Sequence, residues 1–100
     1  MFFDWLAKIF KKKEKSVPGE EVGMVTHYFP KSKAAAIKIE KGKITVGDTL
    51  HFRGHTTNFK QRIDSLQSDH KAIQEAGRGK EVGVRVSARV RPNDIVYRLN

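Results

Sequence analysis

Residues 34–53, AAAIKIEKGKITVGDTLHFR, carry the pattern that decides the fold. Ala35, Ile37 and Ile39 recur at every second position, opposite Lys38 and Glu40, so Ala34–Glu40 reads as a half-buried strand. Lys41-Gly42 turns the chain, and Ile44 and Val46 point inward. Gly47-Asp48 then makes a tight turn, because glycine reaches backbone conformations closed to other residues and an aspartate carboxylate bonds turn amides. Leu50 and Phe52 share the next inward face, with His51 and Arg53 facing away. Short alternating strands joined by glycine turns point to a small all-β barrel or sandwich.

The same rhythm extends both ways. Val22–Phe29 reads as a strand, broken by Pro30. Gly54 begins a turn. Asn58–Leu66 reads as a longer strand in which Phe59 and Ile63 share a phase; Leu66 breaks it, which places a bulge or bend near Asp64-Ser65. Lys71–Glu75 fits either a strand or a turn, and Ala76-Gly77-Arg78-Gly79 reads as a loop. In Glu81–Val90, Val82, Val84, Val86, Ala88 and Val90 alternate with Arg85, Ser87 and Arg89. Pro92-Asn93-Asp94 turns into a last strand, Ile95–Leu99.

Upstream of Val22 the pattern changes. Residues 1–12 read as a short amphipathic helix. At about 100° per residue, Phe2, Phe3, Trp5, Leu6, Ile9 and Phe10 fall within an arc of roughly 160°, with Asp4, Lys8, Lys11 and Lys12 on the other side. Such a helix spans about 18 Å, too short to cross a bilayer. It also lacks the charged start and cleavage site of a signal peptide. Residues 13–21, polar and carrying Pro18-Gly19, read as a flexible linker, which leaves 22–100 as one β-domain.

The chain has 100 residues, 20 Lys and Arg against 11 Asp and Glu, and a net charge of +9. The excess is in the β-domain: residues 22–100 carry fifteen basic and seven acidic side chains, net +8, and residues 1–21 only +1. A field of that sign attracts polyanions. No cysteine is present, which excludes disulfides, thiol catalysis and Cys-ligated zinc, and fits a reducing, cytoplasmic compartment.

Several short motifs recur in order: Val22-Gly23-Met24-Val25; Gly42–Leu50 as G-x-I-x-x-G-D-x-L; Ala76–Val84 as A-G-x-G-x-x-V-G-V; and Pro92-Asn93-Asp94-Ile95-Val96-Tyr97. In this order they resemble the second-domain β-barrel of translational GTPases of the elongation factor Tu type. They also resemble small elongation-factor-like proteins that carry that barrel alone, and the C-terminal barrel of collagenase-like peptidases. The resemblance covers about Val22 to Leu99. It implies a closed antiparallel barrel of six to seven strands, with contacts to ribosomal or transfer RNA or to neighbouring domains. Gly47 and Gly83 fit the tight turns or close backbone approaches that such a barrel uses. Nucleotide binding does not carry over. Gly79-Lys80 is followed by Glu81, no glycine stands five residues before Gly79, and a phosphate-cradling loop needs both that glycine and a Ser or Thr.

No catalytic constellation stands out. Ser65, Ser68 and Ser87 lack a nucleophile motif, and Asp64 and Asp69 have no geometry that pairs them as acid and base. His51 and His55 flank Gly54 in extended chain, where four residues span roughly 13 Å, too far for one metal ion. No cofactor is expected. The expected function is therefore a non-catalytic RNA- or ribosome-associated module. Lys60 and Arg62 lie opposite Phe59 and Ile63; Arg85, Arg89 and Arg91 continue one phase; Lys41 and Lys43 follow the second strand. Together they would track phosphates. Tyr28, Phe29 and Phe59 lie near them and either stack on bases or fill the core, the core reading being the default for large aromatics. The N-terminal helix leaves three options open: insertion at an anionic membrane surface, a partner's groove, or folding back on the β-domain. The first two make the protein a peripheral membrane protein or a protein-interaction adaptor.

Overall fold

The computed structural model describes residues 19–99, which hold strands, turns and irregular chain and no helix. The proposed helix over 1–12, and the linker up to residue 18, lie outside the described residues. In the deciding stretch the alternation forms β1 (Glu20–Phe29), β2 (Ala34–Ile39), β3 (Lys43–Thr45) and β4 (Thr49–Arg53). Ala35, Ile37, Ile39, Ile44, Leu50 and Phe52 are all fully buried. Gly47, at φ 101°, turns the chain between β3 and β4. The Asp48 carboxylate accepts the Thr45 amide at 2.9 Å there, so the turn forms as its residues dictate.

Further along, the chain is cut more finely than its pattern implies. Asn58–Leu66 is two strands, β5 (Asn58–Arg62) and β6 (Leu66–Ser68). Between them Ile63 leaves the ladder: its amide donates to the Asp48 carbonyl at 2.8 Å and its carbonyl accepts from Gly47 at 2.9 Å. Lys71–Glu75 divides into β7 (Lys71–Ile73) and β8 (Glu75–Gly77), and β8 takes the first half of the expected 76–79 loop. A two-residue turn at Asp69-His70 joins β6 to β7, with φ of 53° and 65°. Consecutive positive φ values are the mark of a tight hairpin turn, here made without the usual glycine. The segment Glu81–Val90 is a strand, β9, only over Glu81–Arg85; Ala88, expected inside, is exposed, while Val86 and Val90 remain buried. The last strand is β10 (Ile95–Arg98).

These strands form an eight-stranded antiparallel sheet in the order β5-β4-β10-β1-β2-β9-β6-β7 and a two-stranded ribbon of β3 and β8. One face of the sheet, with Ile44 and Ala76 from the ribbon, encloses a single core built largely of Val, Ile, Leu and Phe52. The expected closed barrel of six to seven strands is thus corrected. The domain is all-β, but β5 and β7 remain as sheet ends with no ladder between them. The reason is local: the chain leaves the ladder at residues 63–65 and again after Arg85, so no continuous ladder runs from β5 to β9 or β7.

Candidate nucleic-acid interface

β5 is an edge strand, hydrogen-bonded to β4 alone. Its Gln61 side chain reaches from that edge to the segment leaving β9. Gln61 Nε2 donates to the Arg85 carbonyl at 2.9 Å, and the Ser87 amide donates to Gln61 Oε1 at 2.7 Å. One side-chain amide thereby supplies the donor and acceptor that a backbone peptide would supply in a ladder. The bridge ties β5, which carries Lys60 and Arg62, to the Arg85 backbone, but the Lys60 and Arg62 side chains lie on the opposite face of β5 from Gln61, and the Arg62 guanidinium lies beside Gly47. An open cleft of about 350 Å³ lies at the bridge, lined by Gln61, Asp64, Ser65, Arg85, Val86 and Ser87. A second cleft of about 200 Å³ shares Ser65 and Arg85 and continues over Ser32, Ala34, Gln67 and Gly83.

The other four basic residues proposed from the sequence lie elsewhere. Arg89 and Arg91 follow the end of β9; both are exposed, and the Arg91 amide donates to Asp94 Oδ2 at 2.9 Å. Lys41 and Lys43 sit past the far end of β2 from Arg85, and Lys43 pairs with Glu75 at 3.5 Å. β9 ends at Arg85, so Arg89 and Arg91 are carried by the irregular chain beyond it and not by one strand. Gly83 is not a close approach either: a Cβ there would meet only Gln67 Cβ, at 4.0 Å.

The acids are more engaged than the bases. Asp94 is buried and caps the 91–94 turn, and Asp48 holds the turn after β3. Glu81 contacts the Thr26 hydroxyl at 2.5 Å, Glu75 meets Lys43, and Glu20 meets Arg98 at 3.6 Å. Among the described residues, ion pairs involve only Lys43 and Arg98 on the basic side. Lys60, Arg62, Arg85, Arg89 and Arg91 are all exposed.

The aromatic candidates separate. Phe59 stacks on Phe52 with ring centroids 5.1 Å apart, and Phe59 and Tyr28 both pack against the core. Phe29 does not: it is 49% exposed and stacks beside His27 at 6.0 Å, the planes 18° apart. The cause is a β-bulge. Val25 pairs with Ile37 but His27 pairs with Ala36, so Thr26 is an extra residue that shifts the phase of everything after it. Tyr28 turns inward, and His27 and Phe29 turn out. Only Thr26 marks the site, its hydroxyl reaching the Ala36 carbonyl at 3.2 Å, and a threonine alone does not announce a bulge.

His51 is the residue the sequence misplaced. It faces away from the core, as expected, yet is only 5% exposed. Its Nε2 lies 2.6 Å from Asn58 Oδ1, its ring tilts on Tyr97, and its Nδ1 is enclosed without a hydrogen-bond partner among the described residues. His55 stays exposed. Among the described residues no three His, Asp or Glu side chains gather as metal ligands.

No protein-family profile matches the chain. Over 80 residues, 79% of this chain, it is 29% identical to a collagenase of Porphyromonas gingivalis. Over the same length it is 34% identical to an uncharacterized protease of Methanocaldococcus jannaschii. The chain spans about a fifth of the length of these curated relatives, 22% and 19%. Its fold matches the C-terminal domain of a putative U32 peptidase of Geobacillus thermoleovorans, with a TM-score of 0.75 at 23% identity, covering 81% of this chain and 93% of that one. These matches overturn the elongation-factor and ribosome-associated reading and bear out the resemblance to the C-terminal domain of collagenase-like peptidases. The chain is similar in sequence to part of collagenase-like proteases and has the fold of a U32 peptidase C-terminal domain.

Proposed function

We propose that residues 22–99 act as a non-catalytic binding module that takes the phosphates of RNA on exposed lysine and arginine side chains. The observation that carries this is the division of charge. Glu20, Asp48, Glu75, Glu81 and Asp94 are engaged in turns, a hydroxyl contact and three ion pairs, while Lys60, Arg62 and Arg85 are exposed and have no ion-pair partner among the described residues. Unpaired cations at the surface gain by releasing the counterions of a nucleic-acid backbone. The non-catalytic part is supported by the same accounting. The two least exposed carboxylates, Asp48 and Asp94, hold turn amides and are not aimed into a cleft. Similarity to about a fifth of each protease chain also fits an accessory part.

Anisotropy of a labelled RNA hairpin titrated at rising NaCl tests the reading. Affinity should fall linearly on a log–log plot. Changing Lys60, Arg62 and Arg85 together to Ala should reduce the slope by about two to three. Binding that ignores salt, or a triple variant that binds like the parent, would overturn it.

A further inference from the structure

We propose that Phe29 and His27 form a base-stacking step for single-stranded RNA, flanked by Lys31, Lys33 and Arg85 as phosphate contacts. This rests on the RNA-binding reading above and names its substrate as an unpaired strand.

Phe29 is the exposed large apolar side chain of the described residues, and the bulge at Thr26 is what turns it out. The His27 and Phe29 rings are stacked, with centroids 6.0 Å apart and planes 18° apart, on the outer side of β1. Their ladder neighbours are small. Across the ladder Phe29 faces Ala34 and His27 faces Ala36, and the next strand offers Gly83 opposite Ala36.

The cations stand where a strand crossing this surface would place its phosphates. Arg85 pairs with Ala34, two strands from Phe29, about 10 Å at ordinary strand spacing. Lys31 and Lys33 occupy the turn that follows Phe29, both exposed. None of the three has an ion-pair partner among the described residues. The cleft beyond, with Ser32, Ser65 and Gln67, adds hydroxyl and amide groups for sugar and base edges. An open aromatic face accepts a base only when that base has left its stack. A duplex offers this surface phosphates alone.

The test uses the full chain with a labelled uridine oligonucleotide and a duplex RNA of equal length, at one salt concentration and then across a salt series. Phe29→Ala should weaken binding of the oligonucleotide by about tenfold, leave its salt slope unchanged, and leave duplex binding unchanged. Phe29→Tyr should retain affinity. Lys31→Ala and Lys33→Ala should each lower the salt slope by about 0.7 on the single strand. Because Phe29 is a surface residue, thermal unfolding of the variants should match the parent. If the parent binds both RNAs and Phe29→Ala leaves oligonucleotide affinity intact, the stacking step is wrong and the phosphate-binding reading survives. Tighter binding of duplex than of single strand would likewise remove the stacking step alone. If the parent binds neither RNA, both proposals fall.

Discussion

Single residues set limits that alternation does not express. Gly23 is flanked on both sides, by Val96 of β10 and Ile39 of β2. A Cβ at this position would collide with the Lys38 carbonyl oxygen and crowd the Ile39 Cα. Relief requires moving β2, which carries Ala35, Ile37 and Ile39 into the core. Gly23→Ala should therefore destabilise the domain by about 2–4 kcal/mol, read as a lower denaturant midpoint. An unchanged midpoint would show that the two strands separate easily there. Asp48 illustrates the opposite case. Its role after β3 was legible because an aspartate following a glycine bonds turn amides whatever the surroundings.

Between elements, one side chain stands in for a missing ladder. Gln61 links β5 to the backbone after β9 through two hydrogen bonds. Gln61→Leu keeps the volume and removes both, and should cost about 1–2 kcal/mol of stability. Gln61→Glu keeps an acceptor for the Ser87 amide but loses the donor to Arg85, so it should fall between the two. Amide hydrogen exchange at Ser87 reads the bridge directly, since that amide should exchange faster in Gln61→Leu. Retained protection at Ser87 would mean that another group closes the seam. Gln61 shares the phase of Phe59 and Ile63, but a lone polar residue in an apolar phase does not tell which backbone it will meet.

For the molecule as a whole, charge is unbalanced in a way that affects folding as well as binding. The net charge is +9, and the described residues hold three ion pairs, of which Lys43–Glu75 is exposed on both sides and the two through Arg98 are partly buried. Exposed pairs of that kind add little, whereas like charges spread over a small surface repel one another. Screening by salt weakens that repulsion, so the unfolding temperature should rise between low and physiological NaCl. A fall over the same range would show that attractive pairs outweigh the repulsion. This measurement needs no RNA and is independent of the binding tests.

The alternating apolar positions by themselves determined an all-β domain, the inward set Ala35, Ile37, Ile39, Ile44, Leu50 and Phe52, and the turns at Gly42 and Gly47. Those properties follow from contacts within a few residues, because side-chain direction in a strand has period two and turn chemistry is local. Tertiary structure alone decided that the sheet stays open, that Thr26 bulges and turns Phe29 outward, that β9 stops at Arg85, and that His51 is enclosed. Each depends on which distant backbone lies alongside. Partners for main-chain hydrogen bonds come from far along the chain, and a one-residue slip in that pairing reverses the face of every side chain after it.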